Sequence, residues 1–111
     1  MQVEVKGKNL DVSDTIRSYA EQKLEKLRKQ LAEETIVHVE LAVEKNPKIR
    51  ESQVAEATIF VKGDILRARE TTTDMKASLD GLSEKLMREL KTYREKRREE
   101  PRRRTEHNGN E

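Results

Sequence analysis

The apolar positions of the chain change period three times, and each change marks a new element. Gln2 to Lys6 alternates, with Val3 and Val5 on one face, which predicts a short half-buried strand. Gly7-Lys8-Asn9 ends it. From Ile16 the spacing is helical: Ile16, Ala20, Leu24, Leu27 and Leu31 fall within about 80° of arc at about 100° per residue. A helix over about 14–32 is expected. Ser13 or Asp14 is its N-cap, since either side-chain oxygen accepts an orphan backbone N–H. Tyr19, Lys23, Lys26 and Lys29 lie on one flank of this helix, Glu21 and Glu25 on the other.

From Ile36 the period is two again. Val37, Val39, Leu41 and Val43 face one way and His38, Glu40, Ala42 and Glu44 the other, a strand with one wet face. Asn46-Pro47 opens a loop that runs to about Ser52. Val54 to Lys62 is a third strand, with Ala55, Ala57, Ile59 and Val61 inward and Glu56, Thr58 and Phe60 outward. Gly63-Asp64 reads as a two-residue hairpin turn. Ile65 to about Thr71 is a fourth strand, with Leu66 and Ala68 inward and Arg67 and Arg69 outward.

Thr71-Thr72-Thr73-Asp74 offers N-caps for a long second helix. Met75, Leu79, Leu82, Leu86, Leu90 and Tyr93 lie within about 80° of arc, and the pattern runs to roughly Arg98. Residues 101–111 hold no apolar side chain, so 99–111 is expected to be a disordered charged tail or the start of a linker. The order β-α-β-β-β-α over 1–98 predicts an α+β domain of two layers, a four-stranded sheet with two helices packed on one face. Strands one and two are parallel if they are neighbours, and the other pairs are antiparallel hairpins.

Composition narrows the chemistry. Of 111 residues, 41% are charged, 32% hydrophobic and 3% aromatic. That suits a thin core and leaves little room for an enclosed cofactor pocket. There is no cysteine, hence no disulfide, thiolate nucleophile or zinc-thiolate site. No apolar run approaches the roughly 20 residues of a membrane span, and Met1–Val5 lacks the apolar core of a signal peptide. A soluble cytoplasmic protein is expected.

The net charge of +2 excludes a bulk polycation, but its distribution is uneven. Residues 13–32 carry five basic and three acidic side chains and residues 75–104 eleven and six. The helical segments thus hold a surplus of seven positive charges and the remainder a deficit of five. Arg88, Lys91, Arg94 and Arg98 form a stripe opposite the apolar face of the second helix, with Lys85 and Lys96 on a flank. Lys23, Lys26 and Lys29 fan across a flank of the first. Two helices side by side on one sheet would let both sets bound one groove or ridge suited to a phosphate backbone, whose counterions Lys and Arg displace. The competing reading is a solvated helix surface with pairs such as Glu84–Arg88 and Lys91–Glu95.

No catalytic constellation stands out. His38 is on a strand's wet face and His107 in the tail. His38, Glu40 and Glu44 on one strand spread over about 20 Å, too far for one metal. Phosphate-loop and dinucleotide fingerprints are missing, and no serine has a paired base. Phe60 alone is not the paired-aromatic platform of an RNA-recognition motif; packing or an interface contact is the leading reading, and a ligand-facing role is the alternative.

Three segments carry a resemblance: SDTIRSYAEQKLEKLRK at 13–29, VAEATIFVKGDILRARE at 54–70 and TTDMKASLDGLSEKLMRELKTYREK at 72–96. The last is similar to the signature D-M-Y-A-x-I-D-x-L-x-x-K-L-x-R-Q-L, matched at Asp74, Met75, Ala77, Asp80, Leu82, Lys85, Leu86, Arg88 and Leu90. Over about residues 2–98 the chain resembles the ribosome hibernation-promoting factor family, which includes the ribosome-associated inhibitor proteins. It departs at Lys76, where the family usually has Tyr, at Leu79 for Ile, at Glu89 for Gln and at Thr92 for a basic residue.

The resemblance implies a fold similar to double-stranded RNA-binding domains and a non-enzymatic role without cofactor, membrane or small-molecule substrate. It implies binding to 16S rRNA of the 30S ribosomal subunit near the decoding centre. mRNA and tRNA would be blocked, inhibiting translation and preserving idle ribosomes in stationary phase or stress. Carried over, the RNA contacts are Lys23, Lys26, Lys29, Lys85 and Arg88, with Lys91, Arg94 and Lys96 as extensions; Arg98 of the same stripe and Lys76, a departure that adds a phosphate-seeking charge, are expected to join them. Family members are short or continue through a charged linker to a C-terminal dimerisation domain. Residues 99–111 read as such a linker, or as the end of a short form. Two other classes stay open: a generic double-stranded RNA-binding module, and a protein-interaction domain using Glu40, Glu44 and Glu56 on the sheet.

Overall fold

The computed structural model describes residues 1–109, with side-chain surroundings described through Arg97. The elements are β1 (Gln2–Gly7), α1 (Asp14–Leu24), a 3-10 segment (Glu25–Gln30), β2 (Ile36–Val43), β3 (Gln53–Val61), β4 (Asp64–Thr72) and α2 (Met75–Gly109). The sheet order is β1-β2-β3-β4. β1 and β2 are parallel, with Val5 opposite Val39, and the other pairs are antiparallel. The expected α+β fold is present: α2 lies over β3 and β4, and α1 lies over β1 and against α2.

Side-chain alternation fixes which face is covered, because a one-residue slip would turn every apolar strand residue to water. Val37, Val39, Leu41, Ala55, Ala57, Ile59 and Leu66 are buried beneath the helices. Ala20, Leu24 and Leu27 meet them from the α1 side, and Leu79, Leu82, Leu86 and Leu90 from α2. The outer sheet face has no covering layer among the described residues. It mixes charges: His38 is 3.5 Å from Glu4, and Arg69 3.8 Å from Glu56. Glu40 stands opposite Glu56, but the face as a whole is not anionic.

Three boundaries differ from the sequence pattern. The first helix is α only to Leu24 and then tightens to 3-10 rather than running as one helix to residue 32. At three residues per turn Leu24 and Leu27 eclipse, and both are fully buried. The β3–β4 turn is Lys62-Gly63, one residue earlier than expected, because Val61 pairs with Asp64. Gly63 takes the left-handed position at φ +79°, which glycine adopts without a Cβ penalty. α2 continues past Arg98 to Gly109. Arg98 and the expected tail beyond it lie outside the described side chains.

Candidate nucleic-acid interface

The caps set the two helices in place. Ser13 Oγ accepts from Ile16 N–H at 3.2 Å and opens α1. Asp74 Oδ2 accepts from Ala77 N–H at 3.1 Å and opens α2. Both thereby satisfy donors that a helix start leaves free. The helices are then joined along their length. Ser83, buried, donates its Oγ proton to the Lys23 carbonyl at 3.0 Å. Tyr19 donates its phenol to Asp80 at 2.6 Å, across 61 residues of sequence. Gln30, at the far end, accepts from Arg94.

Two clusters of cations lie along this seam. At the near end, Lys23 Nζ is 3.2 Å from Asp80, with both side chains a little over two-fifths exposed. Lys23 and Lys76 both stand over the Tyr19 ring, at 5.7 and 5.4 Å from its centroid, where the π face attracts a cation. The Tyr19 hydrogen bond, and after it the Lys23 ammonium, holds the Asp80 carboxyl below its ordinary range. The same bonds to Asp80 raise Tyr19 and Lys23 above theirs. At the far end, Gln30, Met87, Arg88, Lys91, Arg94 and Glu95 line an open groove of about 410 Å³.

At about 100° per residue, Lys76, Asp80, Lys91 and Arg94 fall within roughly 60° of one another on α2, and Arg88 some 60° further round. The expected pairs Glu84–Arg88 and Lys91–Glu95 are not formed. Among the described residues no ion pair holds Arg88, Lys91 or Arg94. Lys26 and Lys29 are exposed on the 3-10 segment. There i and i+3 eclipse, so these two lysines form a column rather than the fan an α-helix would make. Glu25 and Arg28, on the next column, pair at 2.6 Å.

Lys85 is placed apart from the other expected RNA-contact cations. It sits roughly 180° from Lys76 around α2. Its ammonium donates to the Arg69 carbonyl at 2.8 Å and lies 3.4 Å from Glu70. Gly81 makes the room: a Cβ there would collide with the Glu70 side chain. Lys85 therefore ties α2 to β4 and is turned away from the seam. Lys96 is exposed but lines no part of the groove. Sequence reasoning missed the Tyr19–Asp80 bond. The available signal was one acidic residue, Asp80, standing on a cationic helix flank one turn from Lys76.

Comparison with known proteins gives these surfaces a context. The family model described as "Sigma 54 modulation protein / S30EA ribosomal protein" matches residues 3–98. A ribosome hibernation promotion factor of Picosynechococcus sp. is 37% identical over 97 residues, covering 86% of this chain and 50% of that protein. A ribosome hibernation promoting factor of Azotobacter vinelandii is 38% identical over 96 residues, covering 86% and 85%. The chain thus spans half the length of the first relative and most of the second. The crystal structure of the Thermus thermophilus Protein Y N-terminal domain superposes with a TM-score of 0.70 at 26% identity, covering 84% of this chain and 99% of that one.

Proposed function

The chain belongs to the sigma 54 modulation protein / S30EA ribosomal protein family, and on that premise we propose that it is a ribosome hibernation factor. It binds 16S rRNA of the small ribosomal subunit at the decoding region, excludes mRNA and tRNA, and so silences and preserves idle ribosomes. The observation that carries this reading is the α1–α2 seam, with Arg88, Lys91 and Arg94 gathered on one groove and held in no ion pair among the described residues.

The mechanism is occupation, with no bond made or broken. Cations on a rigid two-helix surface replace condensed counterions along RNA phosphates, and released ions supply the favourable entropy. Lys26, Lys29, Arg88, Lys91 and Arg94 make these contacts at full strength. Lys23 and Lys76 join from the Tyr19 cluster, Lys23 after parting from Asp80. Lys96, on the same flank of α2 as Lys85, stands outside this contact set. The bulk of the domain then keeps mRNA and tRNA out of the decoding region.

The test is mutual exclusion on purified small subunits. Subunits preloaded with mRNA and initiator tRNA should not take up the chain, and subunits saturated with the chain should not take up tRNA. Simultaneous occupancy in sedimentation would overturn the reading. Displacement of the chain by excess unrelated duplex RNA would mark a generic A-form reader instead.

A further inference from the structure

The seam continues beyond Arg94. Gln30 lines the basic groove and also a second depression of about 550 Å³. That depression rounds the open end of the sheet, past Thr35, Lys62 and Tyr93, to His38 and Phe60. Phe60 is 59% exposed, on the opposite face from its fully buried neighbour Ile59. It is therefore not core packing. Its cross-strand partner Ile65 is 48% exposed. The His38 ring stands 5.9 Å away at 79° to the Phe60 ring and is itself 3.5 Å from Glu4. The aromatic is thus braced from one side and open to solvent on another.

We propose that Phe60 is a stacking platform for one unpaired RNA base at the end of the strand path that begins in the α1–α2 groove. The proposal rests on the RNA reading of that groove. His38 orients the ring, and Lys62 on the rim meets the adjoining phosphate. Size favours a base over a protein partner. Phe60 and Ile65 with half-buried Ile36 make one short row bounded by His38, Thr58 and Arg67, whereas a stable protein interface needs about 1,000 Å². A single ring matches a single base, and such stacking is tolerant of base identity. The path to Phe60 starts at the basic groove of Arg88, Lys91 and Arg94 and then passes one acidic and one basic side chain, Glu34 and Lys62, so stacking rather than charge holds the base at its end.

The experiment is chemical footprinting of unpaired bases on small-subunit RNA, with parallel binding curves. The proteins are the wild-type chain, Phe60→Tyr, Phe60→Leu, Phe60→Ala and Lys91→Glu/Arg94→Glu. Phe60→Tyr should protect the same bases as wild type. Phe60→Ala and Phe60→Leu should expose one or two of them, leave the groove protections intact, and bind roughly 5- to 150-fold more weakly, the span seen for losing one stacked base. Phe60→Ala with wild-type footprint and affinity would overturn the proposal while leaving the groove reading standing. Phe60→Leu equal to Phe60→Tyr would also overturn it, since an aliphatic side chain serves an apolar protein contact as well as a ring does. Unchanged binding by Lys91→Glu/Arg94→Glu would remove the groove, and with it the path on which the platform depends.

Discussion

Replacing Arg88, Lys91 and Arg94 together by Gln removes three positive charges from the groove and, from the fold, only the exposed Arg94–Gln30 hydrogen bond. Arg88, Lys91 and Arg94 are exposed, and none is held in an ion pair among the described residues. If each meets one phosphate, the slope of log K against log salt should shallow by about 0.7–0.9 per site, hence by roughly 2.1–2.7 for the three. At about 0.1 M salt that is a loss of roughly 100- to 500-fold in affinity, dwindling toward none near 1 M. Filter binding of purified small subunits across a potassium chloride series gives both lines, and circular dichroism checks that the variant is folded. Parallel lines for wild type and variant would refute the phosphate assignment, whatever the affinities. Convergence at high salt is the signature that separates lost charge from lost shape.

Lys85→Gln should leave that salt slope unchanged, because its ammonium faces Glu70 and the Arg69 carbonyl, and should cost well under about 1 kcal/mol in urea unfolding. A slope change as large as that of a seam cation would contradict the geometry. Ser83→Ala should destabilise by about 1–3 kcal/mol, since it removes the buried hydroxyl that satisfies the Lys23 carbonyl where α1 tightens; an unmoved unfolding midpoint would refute this. Asp80 has a depressed folded pKa, so its contribution is present above the unfolded aspartate value of about 3.9 and is lost as pH falls through the folded value. The stability gap between wild type and Asp80→Asn should therefore hold near neutrality and close in acid, and a gap that widens in acid would reverse the assignment.

Strand faces were legible because burial on one side enforces a strict two-residue period, as at Val37, Val39 and Leu41. The apolar stripes of both helices were legible for the matching reason, and so was the surplus of cations on them. What escaped was whatever depends on contacts between distant elements. A spacing of three, as at Lys23, Lys26 and Lys29, fits an α flank and a 3-10 column equally well, and only packing of Leu24 and Leu27 decides between them. Lys85 belongs to a basic run in sequence, but its direction is set by Glu70 on β4. The Tyr19–Asp80 bond joins residues with no local relation. The Gly63 turn moved by one position because strand pairing, not the dipeptide, places the loop.

Asp80 also bears on how such a complex would come apart. A carboxylate fixed 3.2 Å from Lys23 is a tethered competitor for any phosphate that approaches this ammonium. Its effective concentration is high and constant, and unlike salt it cannot be diluted. In the proposed complex RNA would gain the Lys23 contact by exchange rather than by capture, so that end of the seam would contribute less to affinity than its charge suggests. It also recloses without waiting for an ion from solution. In the proposed complex the two ends of one basic surface would therefore differ in kinetics, the groove around Lys91 holding on while release begins at the Tyr19 cluster.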